Sequence, residues 1–240
     1  LYSDADLTAK PHKLPGVSKP EHPSGDGKAG LPRLPPGRHG LPREFVVKNQ
    51  RDRLAAGVIQ VIAEHGYHEA TITQIAAAAG VSRRTFYSYF KTKQESFFDT
   101  YQLVSDFLFT AMAEAGETER KWPARVRAEL GVLLEALAAN PNLVRFTLVA
   151  PPAAGGEIAA KHRGFLERLL ALLGEGRPKN TRRPSEAAEH GLIGGLAALV
   201  VDKVKAGEGE RLPELLSDLL ELVLTPYLGR ERAVAEARFR

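Results

Sequence analysis

The sequence predicts an all-α protein in two parts: an N-terminal three-helix domain holding a helix-turn-helix, and a larger C-terminal helical domain. Three observations carry this. From Val47 to Leu228 the apolar residues recur at spacings of three and four, the period of helices that bury one face. No segment alternates apolar and polar residues long enough to argue a sheet. The stretch from Thr71 to Lys93, TITQIAAAAGVSRRTFYSYFKTK, reads as two short helices joined by a tight turn.

Residues 1–42 hold many prolines and glycines and no periodic apolar pattern, which predicts a disordered arm. Its last part, from Arg33 to Arg43, is basic, and such an arm can follow a nucleic-acid backbone or enter the minor groove. The domain predicted over 43–92 begins with helix one. There Val47, Leu54, Val58, Val61 and Ile62 fall at helical spacing, and His65-Gly66 marks the end. Helix two covers Ile72 to Ala79, with Ile75, Ala76 and Ala79 on one face. Gly80 stands where a helix end wants a left-handed residue, and Val81 plugs the corner. Ser82 is a good N-cap for helix three, Arg83 to Phe90. Phe86 and Phe90 are four apart and share a face, which places them in the three-helix core.

The domain predicted over 93–240 opens with helix four, from Lys93 to about Ala115. Trp122-Pro123 opens helix five, since proline suits a first turn, and it continues to Ala139. Helix six starts at Pro141 and reaches about Val149. Pro151-Pro152 and Gly155-Gly156 break the chain. Helix seven spans about Glu157 to Leu173, and a basic loop follows from Gly174 to Pro184. Helix eight runs from the N-cap candidate Ser185 to Lys205, and helix nine from Leu212 to Leu228.

A chain of 240 residues can bury a sizeable core. It has no cysteine, which excludes disulfides, thiolate metal sites and a cysteine nucleophile. No apolar run is long enough to span a bilayer, and the polar, proline-rich start is unlike a signal segment. A cytoplasmic protein without a membrane partner is the expectation. From Leu41 to Lys93 there are eight basic and four acidic residues, an excess equal to the +4 of the whole chain. A positive module beside a neutral one suits nucleic-acid binding by the first.

In a helix-turn-helix the second helix enters the major groove. Here its exposed face carries Arg83, Arg84, Thr85, Tyr87 and Tyr89 behind Ser82. Arginine can fork to guanine and a threonine methyl can touch thymine. The tyrosines can reach the phosphate walls. Thr71 and Thr73, at the start of helix two, bring a hydroxyl and free backbone N–H groups to a phosphate, unless Thr71 serves only as an N-cap.

The same residues resemble a family. Thr71, Ile75, Ala76, Ala79-Gly80-Val81-Ser82, Thr85-Phe86-Tyr87, Tyr89-Phe90 and Lys93 are similar to the pattern T-x-x-x-I-A-x-x-A-G-V-S-x-G-T-[LF]-Y-x-[HY]-F-x-x-K of the tetracycline-repressor (TetR) family. The likeness covers roughly Arg51 to Phe98. Arg84 departs from it, standing where the pattern has glycine. The resemblance implies a homodimeric, ligand-responsive transcriptional regulator, usually a repressor, on a palindromic double-stranded DNA operator. It also implies a phosphate-binding role for Lys93 and a C-terminal ligand-binding and dimerisation domain joined to the head by helix four. The other readings of the composition are an enzyme carrying a DNA-binding domain and an architectural DNA-binding protein without ligand.

For a small apolar effector, Phe107, Met112, Trp122, Phe146 and Phe165 are the candidate cavity residues, although any one of them fits ordinary core equally. For the dimer, helix eight offers Gly191, Gly194, Gly195 and Ala198, small enough for close helix approach. Helix nine offers Leu216 and Leu220. Among the histidines, His65 and His68 lie beside Glu64 and Glu69, a grouping that fits a solvated turn better than a metal. His162 and Arg163 are weaker candidates for ligand contact. No Gly-rich phosphate loop, nucleophile elbow or telling carboxylate pair occurs, so neither catalysis, a cofactor nor a metal is expected.

Overall fold

The computed structural model describes residues 43–181 and 183–238, with side chains from Lys48 onward. The arm expected over 1–42 lies outside the described residues, as does Arg182 in the basic loop. All regular elements among the described residues are helical. Contacts divide the chain into two units: residues up to Val61 with Glu69–Phe107, and Ile62–His68 with Leu108 onward.

The first unit is built on α1 (Arg43–Glu69), α2 (Ile72–Ala78), α3 (Arg83–Tyr89) and the first part of α4 (Lys93–Glu117). Helix α1 is broken at Gly66, whose φ of 76° no helix accommodates, so the end expected near His65-Gly66 is real and a further turn follows it. Thr71 caps α2 in extended conformation: its hydroxyl accepts from the Gln74 N–H at 3.2 Å, while the Gln74 side chain accepts from the Thr71 N–H at 2.9 Å. This reciprocal box satisfies two donors that a helix start leaves open. At the other end Gly80 takes φ 62°. Its N–H donates to Ala77 O, and the Val81 N–H donates to Ala76 O, both at 2.9 Å, the pairing of a Schellman terminus. Ser82 then caps α3, accepting from the Thr85 N–H at 3.0 Å.

Leu54, Val58, Ile75, Phe86 and Phe97 form the core of this unit and are wholly buried. Gly57 sets how closely α1 meets α2: a Cβ there would stand 2.8 Å from Ile75 O and 2.9 Å from Ala79 N. Two cations tie down the ends of α2. Arg53, itself buried, donates from Nη2 to Gly80 O at 2.6 Å, and Lys93 Nζ donates to Ala70 O at 2.7 Å.

The second unit holds the rest of α4, then α5 (Trp122–Ala139), α6 (Pro141–Val144), a π-helical segment (Arg145–Val149), α7 (Ala150–Ala154), α8 (Gly156–Gly174) and α9 (Glu186–Lys205). A 3₁₀ turn (Gly209–Leu215), α10 (Leu216–Leu228) and α11 (Arg230–Arg238) complete it. The expected helix six divides into α6, the π segment and α7. Pro151 and Pro152 lack the N–H groups that would serve the carbonyls of Thr147 and Leu148 in an α-helix. The Thr147 hydroxyl donates to Leu143 O at 2.6 Å, and the Thr147 carbonyl hydrogen-bonds His162 instead. Gly155 and Gly156, at φ 69° and 53°, turn the chain into α8. The expected helix nine begins as the 3₁₀ turn around Pro213 and becomes α-helical at Leu216.

Helix α11 was not expected. Its apolar face consists of Ala233 and Ala237, both buried, too small to mark a helical stripe in the sequence. Arg127 of α5 donates to the carbonyls of Glu236 and Ala237, occupying acceptors that a helix C-terminus leaves open. No single helix among the described residues is long and apolar enough to cross a membrane.

Candidate nucleic-acid interface and effector cavity

The first unit presents α3 with one face in the core and one outward. Phe86 and Phe90 are buried and pack together at 5.6 Å between ring centroids. Arg83, Arg84 and Tyr87 are exposed on the opposite side. Tyr87 is 48% exposed, high for a large aromatic side chain. Thr71, Thr73 and Ser82 are exposed as well. The hydroxyls of Thr71 and Ser82 already cap helices, and Thr85, half-buried, stands with its Oγ1 2.9 Å from Ser82 Oγ. Seven of the nine expected residues thus share the exposed ends of α2 and α3.

Tyr89 and Lys93 each have a protein partner in the first unit. The Tyr89 hydroxyl donates to Gln50 Oε1 at 2.9 Å, and burial pushes its pKa up against the pull of Arg51. Lys93 donates one of its three ammonium N–H groups to Ala70 O. Burial lowers its pKa, with Glu69 acting the other way. Lys93 therefore holds the residue preceding the α2 cap. Sequence reasoning missed Arg53, which holds the carbonyl at the turn. Its only signal is an arginine beside Leu54 on the buried side of α1.

In the second unit an apolar cavity of about 40 Å³ lies among α5, α8, α9 and α10, with Leu108 of α4 and Leu148 of the π segment in its wall. Of the five expected residues only Phe165 lines it. Met112, Phe146 and Trp122 are buried elsewhere, and Phe107 is half-buried in the first unit. Trp122 packs edge-on against Tyr227 and donates from Nε1 to Leu173 O at 2.8 Å. The wall is mostly leucine, a residue that nothing in the sequence separates from ordinary core.

Of the other candidates, His65 Nε2 lies 3.8 Å from a Glu64 oxygen, and His68 Nε2 donates to Ala153 O at 3.3 Å. His162 is buried and held at the Thr147 carbonyl. Burial lowers its pKa, the Thr147 bond raises it and Arg163 lowers it. Gly191, Gly194 and Ala198 are exposed on α9 beside Leu199, itself 41% exposed. Gly195 leans on its own chain, a Cβ there lying 3.9 Å from Leu222 Cδ2. Leu216 is half-buried. Leu220 is wholly buried within its own chain and belongs to the core rather than to an open face.

Residues 55–98 match the family model described as bacterial regulatory proteins, tetR family. The match takes in the helix-turn-helix and the start of α4, so this stretch is similar to the DNA-binding domain of that family. The chain is 29% identical over 127 residues to the fatty acid metabolism regulator protein of Bacillus subtilis (strain 168), a match spanning 49% of this chain and 63% of that protein. Among solved structures it is similar to the fatty acid degradation regulator FadR from Bacillus halodurans, with 26% identity and a TM-score of 0.64. It is also similar to the transcriptional regulator FadR from Bacillus subtilis in complex with stearoyl-CoA, with 21% identity and a TM-score of 0.62. Each of these two likenesses covers 72% of this chain and 97% of the other. At 21% identity the second speaks for the fold alone.

Proposed function

We propose that this chain is a homodimeric transcriptional repressor that binds a palindromic operator through α3 and is released by a long-chain acyl thioester. The observation that carries the DNA half is the outward face of α3, where Arg83, Arg84 and Tyr87 stand exposed opposite a buried Phe86. That is the disposition of a recognition helix whose N-terminal residues contact base edges. Thr71, Thr73, Ser82 and Thr85 supply phosphate and sugar contacts at the helix starts. Tyr89 must give up its bond to Gln50 before its one hydroxyl proton can meet a phosphate, whereas the Lys93 ammonium, with three N–H donors, can hold Ala70 O and a phosphate together.

The effector half rests on the leucine-walled cavity and on the stearoyl-CoA carried by the Bacillus subtilis FadR structure. At about 40 Å³ the cavity is far below the roughly 300–1,000 Å³ of sites that enclose ligands of ordinary size. An acyl chain therefore enters only if the helices part. Parting that differs between the DNA-bound and released states is what gives a ligand leverage over DNA. Leu108 in the cavity wall and Lys93 at the α2 start lie on one unbroken helix, α4. The exposed small residues Gly191, Gly194 and Ala198 support pairing of two copies along α9.

The test is selection of bound sequences from random DNA, followed by titration of the selected site with stearoyl-CoA, stearate or coenzyme A alone. A recovered palindrome supports the symmetric dimer. Stearoyl-CoA should lower operator affinity by about 5–150-fold, the usual range of coupling, and coenzyme A alone should not. Absence of any enriched sequence would remove the regulator reading. Equal affinity with all three ligands would remove the effector.

A further inference from the structure

Glu129 is on α5 between Val126 and Leu130 and has no solvent exposure. Its Oε1 accepts from Arg125 Nε at 2.8 Å, while its Oε2 is buried with no partner. A carboxylate offers about four acceptor sites, and this one has little use of them. Arg125 is shared, donating from Nη2 to Glu175 at 2.8 Å, so two carboxylates depend on one guanidinium. Against the same carboxyl lies the backbone of α4. A Cβ on Gly116 would stand 2.5 Å from Glu129 Oε1. The groups facing Glu129 are thus Arg125 from its own helix, Glu175 from the segment after α8, and the uncharged Gly116 from α4.

We propose that Glu129 is a proton-operated switch set against α4: as a neutral acid it permits α4 and α5 to close, and as a carboxylate it loosens that contact and weakens DNA binding. A neutral carboxyl tolerates an apolar surrounding that an under-bonded carboxylate does not. Burial pushes the carboxyl up to about 7; the hydrogen bond and charge of Arg125 oppose this, and Glu175 adds to it. Ionisation therefore falls in the neutral range, where it demands water or movement at a contact that has no spare room. The DNA half of the proposal rests on the regulator reading given above.

The direction of the pH effect follows from linkage. Because the folded state holds the proton above the ordinary carboxylate value of 4.5, folding stability is fullest below that value and falls as pH climbs toward about 7. The experiment compares the full chain with Glu129→Gln, which keeps the shape and removes the ionisation. Between pH 5 and pH 8 the Tm of the native protein should fall by about 5 °C more than that of the variant. Between pH 6 and pH 8 its affinity for the selected DNA should fall about five-fold more.

If Glu129→Gln does not fold, carboxyl-carbon NMR of the native protein decides, because one glutamate should titrate with a midpoint near pH 7. A variant that tracks the native protein in both measurements overturns the proposal. So does a set of glutamates that all finish titrating below pH 6. A Tm difference without an affinity difference leaves a buried acid and overturns the switch. If no DNA is selected at any pH, the regulator reading falls, while Tm and NMR still decide whether Glu129 holds its proton.

Discussion

At the scale of single residues, what separates the candidate contacts is where each polar atom is already engaged. Arg83 and Arg84 are exposed beside the α3 start, whereas Tyr89 and Lys93 serve Gln50 and Ala70. Arg84 also stands where the family pattern has glycine, so it brings a guanidinium to the outward face of α3 that the pattern lacks. Arg84→Ala should weaken specific binding by about 1–3 kcal/mol and relax preference at one base position in each half-site. Repeating the selection from random DNA with the variant reads both effects, and an unchanged preference would show that Arg84 meets only phosphate. The caps at Thr71 and Ser82, the turn at Gly80 and the outward arginines were all legible in the sequence, because each depends on neighbours within four residues. The direction of Tyr89 was not, since it depends on Gln50, thirty-nine positions away. Lys93 was hidden in the same way by its distance from Ala70. The orphaned oxygen of Glu129 gave no signal either, because one glutamate on an amphipathic helix reads as surface.

At the scale of elements, the meeting of α1 with α2 is the sharpest constraint in the first unit. Glycine in a helix interior costs roughly 0.8–1.0 kcal/mol relative to alanine, so Gly57→Ala would stabilise an isolated helix. Here the added methyl would meet backbone at 2.8 and 2.9 Å, and backbone cannot move aside as a side-chain tip does. Overpacking of this kind costs about 1–3 kcal/mol and outweighs the helix gain. Urea unfolding of Gly57→Ala should therefore show a lower midpoint at unchanged slope, and a higher midpoint would mean that α2 can back away. Helices with wide apolar stripes and proline or serine starts, such as α5 and α9, were readable from periodicity. The π segment escaped notice because it arises from two missing donors at Pro151 and Pro152 acting together with His162. Helix α11 escaped because an alanine face carries almost no periodic contrast.

At the scale of the whole molecule, the leading question is whether two copies pair along α9. The sequence offered a stripe of small residues on helix eight and two leucines on helix nine, and the structure sorts them. Gly191, Gly194 and Ala198 face outward, Gly195 leans on Leu222, and Leu220 is core. Ala198 is thus the better probe of pairing than Gly195, because a charge there leaves the chain's own packing intact. Ala198→Glu should sediment as a monomer with native helical content and lose most operator affinity. A dimer that persists with Ala198→Glu would move the pairing surface away from α9. The cavity illustrates the opposite limit of sequence reading. Aromatic residues stand out in a sequence, yet leucines from six elements supply most of the cavity wall.

The division of the chain into units bears on how regulators of this kind can be recombined. The chain leaves the first unit after Val61, returns at Glu69 and leaves again after Phe107. A single genetic crossover after Phe107 would therefore carry Ile62–His68 along with the head. Joining residues up to Phe107 to a foreign body would carry Ile62–His68 away from the unit they belong to and strand Ile62, which is 1% exposed in its own setting. A hybrid that keeps every unit whole has three junctions, with the recipient's own seven-residue insert between the first two.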